Sequence, residues 1–239
     1  MLSVASTIRK LLSESIKVFR RFPLVFFLYQ LPEVATEWVE KVGVPDKDDW
    51  LRAFLVLFPY FCIASFASTG LTFLRVRGIR EENRRNVRGE LESLTKGLGS
   101  LIPVSILCGI IFIFGVMALM IPGIYFQAIY LFVPFLVLER PRQPWTSYLF
   151  ESKQLARQSL GLSIILGVLV MIVGLGTEIA FGVAADKFDT FPGSQLTIAL
   201  VKVGCVGLGS ALINIMLSLY YFSALEQRSA KTQAIPAAG

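Results

Sequence analysis

Six apolar runs, each close to the length of a membrane-spanning helix, constrain the fold of this chain more than any other feature. About 20 apolar residues in a helix cross the hydrocarbon core of a bilayer. Only 17% of the residues are charged, whereas about 25% is usual for a soluble domain. We therefore expect an all-α, polytopic membrane protein. The six predicted transmembrane helices cover residues 22–38, 51–74, 101–120, 122–138, 161–185 and 195–221.

The segment 119–157 indicates how these spans are connected. Pro122 and Gly123 stand between the third and fourth runs and predict a very short turn, because proline cannot donate a backbone hydrogen bond and glycine tolerates unusual dihedral angles. After Leu138 the chain leaves the apolar run and enters a polar, amphipathic stretch at 145–160. This order predicts a transmembrane hairpin followed by a helix on the membrane surface.

Surface helices are also predicted before the other hairpins. Residues 1–21 place apolar side chains on one face of a helix and basic side chains largely on the other, which is typical of an interfacial helix. A Glu-Ser pair and an amphipathic stretch precede every hairpin; chance recurrence of a common dipeptide is the alternative explanation. A true repeat predicts three hairpins, each preceded by a cytoplasmic-face amphipathic helix. The pairs are Glu14-Ser15, Glu92-Ser93 and Glu151-Ser152.

The basic residues fall on one side of this topology. All but five of the 23 Lys and Arg residues lie in 1–21, 75–96, 140–157 and 228–231, which six spans put on one face. An excess of Lys and Arg in short loops marks the cytoplasmic side. We therefore expect both termini to be cytoplasmic. The net charge of +6 does not indicate nucleic-acid binding, because the basic residues lie between apolar runs.

Arginines on this face are the candidate contacts for anionic lipid headgroups. Each basic residue near an acidic leaflet contributes about 1 kcal/mol. Topology alone is the alternative explanation for these charges. The arginines concerned are Arg20, Arg21, Arg75, Arg77, Arg80, Arg84, Arg85, Arg88, Arg140 and Arg157.

Four polar residues within the predicted spans are candidates for an intramembrane role, namely Gln127, Glu178, Lys202 and Asn214. Ionisable groups at membrane depth are costly and are often functional. Snorkelling to the interface, or an ion pair between Glu178 and Lys202, explains those two residues as well. Interhelical hydrogen bonds are the simpler role for Gln127 and Asn214.

Nothing in the sequence predicts a catalytic centre. The chain has no histidine, and its three cysteines lie inside apolar runs without metal-ligand or disulfide spacing. It has neither a glycine-rich phosphate loop nor a recognisable nucleophile motif. We therefore expect no catalytic residue, no metal and no cofactor.

An ordered pattern runs through the middle of the chain, with Ile-Pro-Gly-Ile at 121–124, Val-Pro-Phe at 133–135, Val-Leu-Glu at 137–139 and then a serine-containing helix at 147–159. It resembles a large bacterial integral-membrane family described as the membrane domain of glycerophosphodiester phosphodiesterases. The resemblance covers about 100–165, and Ser-Lys replaces the usual Ser-Trp-like pair. In that family the activity belongs to a separate soluble barrel of roughly 250 residues. The resemblance thus implies a membrane fold in the bacterial plasma membrane or another internal membrane, without the enzyme.

Two functions fit these observations. The first is a non-enzymatic accessory or scaffold protein that associates with lipids or with a larger membrane complex. The second is a small transporter or lipid-handling protein with a polar cavity. We expect one membrane domain, 1–226, followed by a disordered tail, 227–239.

Overall fold

The computed structural model describes residues 4–34, 50–82, 86–118, 120–173 and 194–233, and all regular structure in those ranges is α-helical. The all-α prediction is therefore confirmed. In chain order the helices are α1 (Val4–Arg21), α2 (Pro23–Leu28), α3 (Leu31–Val34), α4 (Trp50–Arg80), α5 (Val87–Ala118), α6 (Met120–Ile129), α7 (Val133–Glu139), α8 (Trp145–Gln158), α9 (Leu160–Val173) and α10 (Ser194–Gln233).

Four segments of the described chain are long and apolar enough to cross a membrane. A fifth is obtained if α8 and α9, which meet at 109°, form one bent span. The predicted first span is represented by the short helices α2 and α3, and its last residues, 35–38, lie outside the described chain. The four segments are Leu57–Arg80, Val87–Gly115, Ile121–Glu139 and Val201–Ala230.

Pro122 and Gly123 do not form the turn that the sequence predicted between the third and fourth spans. α5 ends at Ala118 and α6 begins at Met120, so Pro122 and Gly123 belong to the first turn of α6. Proline is tolerated there because the first N–H groups of a helix have no intrahelical acceptor. A Cβ atom on Gly115 would lie 2.9 Å from the Cα atom of Gly123, so the two backbones are in direct contact.

The predicted arginine-rich loop, 75–90, is mostly helical. α4 continues to Arg80 and α5 begins at Val87, which leaves only a short connection between them. The amphipathic helix expected before the third span is likewise part of α5, which runs without a break through Pro103. α10 continues to Gln233, so it includes the first part of the predicted disordered tail.

α1 and α8 end at corners that share one backbone geometry. The corner residue Phe22 has φ −145° and ψ 56°, and Ser159 has φ −144° and ψ 58°. Both follow the serine of a Glu-Ser pair, Ser15 or Ser152, at the same sequence separation. The helix after each corner begins on the carbonyl oxygen of the corner residue, with N–O distances of 3.1 and 3.0 Å. The second Glu-Ser pair differs, because it lies within the continuous helix α5.

Aromatic side chains fill the core where α4, α7 and α10 meet. The ring of Phe73 lies 4.9 Å from that of Phe135 and 5.6 Å from that of Tyr221, between centroids. All residues of α7 from Val133 to Val137 are buried. Close van der Waals packing of these side chains holds so short a helix in place, because lipid supplies no hydrophobic driving force for burial.

One turn of α10, residues 219–222, brings several helix ends together. The Tyr220 hydroxyl donates to the carbonyl oxygen of the α8–α9 corner residue at 3.3 Å. The Tyr221 hydroxyl donates to Glu139 at the end of α7 at 2.7 Å. The guanidinium carbon of Arg80, at the end of α4, lies 4.9 Å from the centroid of the Phe222 ring. We call this end of the bundle the basic end.

Candidate functional site

Four of the arginines predicted to contact lipid are exposed to some extent and paired with a carboxylate. An exposed ion pair stabilises a protein by only about 0–1 kcal/mol, but the carboxylate lowers the positive potential beside the arginine. The pairs are Arg77 with Glu81 at 2.7 Å, Arg80 with Glu226, Arg88 with Glu92 at 3.2 Å, and Arg140 with both oxygens of Glu151 at 3.1 and 3.2 Å.

Arg75 lies inside the protein. Its side chain is 11% exposed, and its Nε atom is 3.2 Å from a carboxylate oxygen of Glu90, which is 1% exposed. The hydroxyl of Tyr29 donates to the other oxygen of Glu90, and Arg75 donates to that hydroxyl at 3.4 Å. This placement corrects the expectation that Arg75 faces lipid headgroups, because the buried carboxylate occupies its guanidinium.

Three of the predicted arginines are exposed and form no ion pair with any residue that the structure describes. Arg20 and Arg21 lie in the last turn of α1, and Arg157 lies in the last turn of α8. All three therefore stand next to a corner between a surface helix and the helix that follows it. Arg84 and Arg85 lie outside the described residues.

Asn214 is the centre of a buried polar network. Its amide nitrogen donates to Gln30 Oε1 at 3.1 Å, and its amide oxygen accepts a hydrogen bond from Thr69 at 3.1 Å. Gln30 Nε2 in turn donates to Thr72 at 3.2 Å. The four side chains are buried and belong to the α2–α3 connection, α4 and α10. They join three elements by interhelical hydrogen bonds, which satisfy groups that lipid cannot.

The other predicted intramembrane residues are not brought together in the described chain. The Oε1 atom of Gln127, on α6, is buried and has no hydrogen-bond partner there. Lys202 is half-buried on α10. Glu178 lies outside the described residues, so its predicted ion pair with Lys202 stays a prediction.

Ser152 has a role that the sequence did not reveal. The chain breaks between α6 and α7, which frees the carbonyl oxygen of Ile129 and the N–H group of Phe132. The Ser152 hydroxyl, on α8, donates a hydrogen bond to the Ile129 carbonyl oxygen at 2.8 Å and accepts one from the Phe132 N–H group at 3.2 Å. Free backbone groups within a membrane need internal partners. α8 therefore supplies the partner that this broken span needs.

A shallow groove opens between the ends of α4 and α10, with a volume of about 410 Å³. The groove lies at the basic end, and Arg80 and Glu226, which form an ion pair, are among its lining residues. Within the described chain, His, Cys, Asp and Glu side chains form no cluster able to hold a metal. The groove is lined by Arg80, Glu81, Phe222, Leu225, Glu226, Ser229 and Ala230.

Comparison with known proteins gives no match: no protein-family profile, no curated protein and no solved structure is significantly similar to the chain.

Proposed function

We propose that this chain is a non-enzymatic accessory protein of the membrane, which associates with anionic lipids through its basic end. The observation that carries the proposal is the arrangement of α1 and α8. Both are amphipathic, both end at corners, and both present exposed basic side chains beside exposed apolar ones. A helix of this kind binds in the interfacial plane of a bilayer.

The proposed topology has six spans in three units, each beginning with a surface helix, and both termini in the cytoplasm. Two observations support it. The corners at Phe22 and Ser159 have matching dihedral angles, as expected for two copies of one unit. The ends of α4, α7 and α8 meet at one turn of α10, so the basic segments share one end of the bundle. By the positive-inside rule that end faces the cytoplasm.

The resemblance to the membrane domain of glycerophosphodiester phosphodiesterases fits this proposal. It suggests that the protein resides in a bacterial inner membrane or another internal membrane. Residues 133–137 of the family pattern belong to the buried helix α7. The serine-containing helix of the pattern corresponds to α8, whose Ser152 bonds to the backbone at the break before α7. These positions have structural roles here and bring no reactive group with them.

A small transporter or lipid-handling protein is the second candidate function. Discontinuous helices line the binding sites of many transporters, and the described part of the chain has breaks within apolar segments at 29–30 and 130–132. The unpartnered oxygen of Gln127 lies close to the second break. Against this candidate, polar groups at both breaks bond to other parts of the chain, as Gln30 and Ser152 show.

Gentle extraction followed by mass spectrometry of the intact assembly distinguishes the two candidates. An accessory protein is expected to emerge with a stoichiometric protein partner or with retained anionic lipid. The proposal fails if the protein emerges alone, free of lipid, and is stabilised against heat by a small-molecule substrate. In that case the transporter is the better explanation.

A further inference from the structure

We propose that the two corners, at Phe22 and Ser159, are matched binding positions for anionic phospholipids of a single leaflet. This inference rests on the proposed lipid association and names both its residues and its lipid class. Arg20 and Arg21 would bind the headgroup at the first corner, and Arg157 at the second.

The distribution of counter-charges singles out these arginines. Arg77, Arg80 and Arg88 already have a carboxylate beside the guanidinium. Arg20 and Arg21, with no ion pair to any described residue, keep their full charge and their five N–H donors. A guanidinium binds phosphate through parallel hydrogen bonds, which gives both strength and geometry. Among the described arginines predicted to contact lipid, those without a carboxylate beside them therefore lie at the corners.

Exposed aliphatic side chains lie on the helix that follows each corner. Leu24 and Leu28 on α2 are exposed, Leu24 by 70% of its surface. On α9, Ile165 and Ile172 are exposed, the latter by 60%. A phospholipid presents the same two chemistries in the same order, an anionic phosphate followed by apolar chains. Inorganic phosphate would use only the arginines, so the composite surface fits an anionic phospholipid.

Both corners lie at one depth in the bundle. The carbonyl oxygen of Ser159 accepts a hydrogen bond from Tyr220. The ring of Phe22 lies 5.4 Å from the guanidinium carbon of Arg75, two residues after Phe73, whose ring stacks on that of Phe222 at 5.4 Å. Positions 220 and 222 are only about 3 Å apart along the axis of α10, at about 1.5 Å of rise per residue. The arginines at the two corners can therefore meet the headgroups of the same leaflet.

Two triple variants with the same change in charge test this inference. The corner variant is Arg20→Gln/Arg21→Gln/Arg157→Gln, and the control is Arg77→Gln/Arg80→Gln/Arg88→Gln. Each purified protein is equilibrated with mixed micelles of phosphatidylglycerol and phosphatidylcholine, and native mass spectrometry counts the bound lipids. The corner variant is expected to bind phosphatidylglycerol about fivefold more weakly per arginine removed. The control is expected to keep the preference of the wild type, and inorganic phosphate is expected not to displace the lipid.

Equal losses in the two variants would overturn the inference, because they would show binding by diffuse charge. Displacement by inorganic phosphate would overturn the choice of a phospholipid. If the wild type shows no preference for phosphatidylglycerol, the proposed lipid association itself fails. If the glutamine variant misfolds, the variant Arg20→Lys/Arg21→Lys/Arg157→Lys, which keeps the charge, is tested in its place. Its affinity should fall below that of the wild type, and an unchanged affinity would exclude guanidinium-specific binding.

Discussion

Asn214 uses both ends of its amide to join helices. Gln30 is bonded to the nitrogen and Thr69 to the oxygen, at 3.1 Å in each case. Neither partner can be replaced by water or lipid at that depth, so the loss of the amide leaves two buried groups without a hydrogen bond.

Asn214→Ala should therefore lower the free energy of unfolding by about 1 kcal/mol, in the range measured for interhelical hydrogen bonds in membranes. SDS-driven unfolding of the purified protein measures the change. Gln227→Ala, at an exposed position of the same helix, is the matched control and should have no effect. Equal effects of the two variants would show that the network adds no stability.

Ser152 and Ser15 allow a second comparison, between two fully buried serines in equivalent sequence contexts. Ser152 is the partner of two backbone groups at the α6–α7 break, whereas Ser15 donates only to the Leu11 carbonyl oxygen of its own helix. Ser152→Ala should lower the free energy of unfolding by about 1–3 kcal/mol. Ser15→Ala should change it little, because such a bond adds little to a helix. A reversed order in the same unfolding assay would contradict the assigned roles.

The sequence predicted what kind of interaction these residues make better than it predicted which residues they interact with. The depth of Asn214 in an apolar run indicates an interhelical bond, yet nothing local identifies Gln30 or Thr69 as the partners. Arg75 was grouped with surface arginines because its neighbours are basic, but the distant Glu90 places it inside. The sequence marks Ser152 as part of a Glu-Ser pair and of the family pattern, but neither pattern shows that its hydroxyl bonds to the backbone of another helix break.

At the scale of elements, the contact between α5 and α6 depends on glycine. Gly115 faces the backbone of Gly123, which cannot move aside as a side chain would. Gly99, on the same helix, has no atom within 4 Å of the position of a Cβ. Small residues allow such close helix approach in membranes.

Gly115→Ala should force α5 and α6 apart and lower the free energy of unfolding by about 1–3 kcal/mol, which is typical of overpacking. Gly99→Ala should instead be neutral or stabilise the protein by up to about 1 kcal/mol, because alanine is the better helix former. Unfolding in SDS reports both values. If Gly115→Ala is as well tolerated as Gly99→Ala, the two helices do not touch as described.

Helix ends were harder to predict than helix positions. The charged residues after 74 predict the end of the second span there, but α4 continues to Arg80, and Arg75 and Arg77 pair with glutamates. Pro122 was taken as a turn, but the start of a helix accommodates proline equally well. Composition locates an apolar run, whereas its ends depend on partners from elsewhere in the chain.

At the scale of the whole molecule, the grouping of basic segments at one end gives a test of orientation. Arg88 is 90% exposed in its side chain, at the first turn of α5. In a variant without native cysteines, Arg88→Cys should react with an impermeant maleimide in inside-out membrane vesicles and not in intact cells. A cysteine in place of Arg157 is expected to show the same pattern. Labelling of either position from outside intact cells would reverse the proposed topology.

The all-α architecture could be predicted from composition. In a helix, unlike a strand, the backbone hydrogen bonds of an apolar run are all formed within that run. The number of spans does not follow as simply. Within the described residues, four helical segments are long and apolar enough to cross a membrane, and the bent pair α8–α9 would make a fifth. The helix break before Val133 is stabilised by a hydrogen bond to a side chain of another helix. The sequence around the break therefore does not predict it.

The angle between α8 and α9 is 109°, so in the proposed topology, with α9 crossing the bilayer, α8 lies across one end of the bundle. A helix lying across one end of a bundle occupies area in the adjacent leaflet only. Lipids in a flat membrane must stretch around this asymmetry, and bending relieves it when the wider end lies on the convex side. We therefore expect the protein to be enriched where its α8-bearing leaflet forms the outer side of a bend. Sorting between membrane tubules of different diameter would measure this preference.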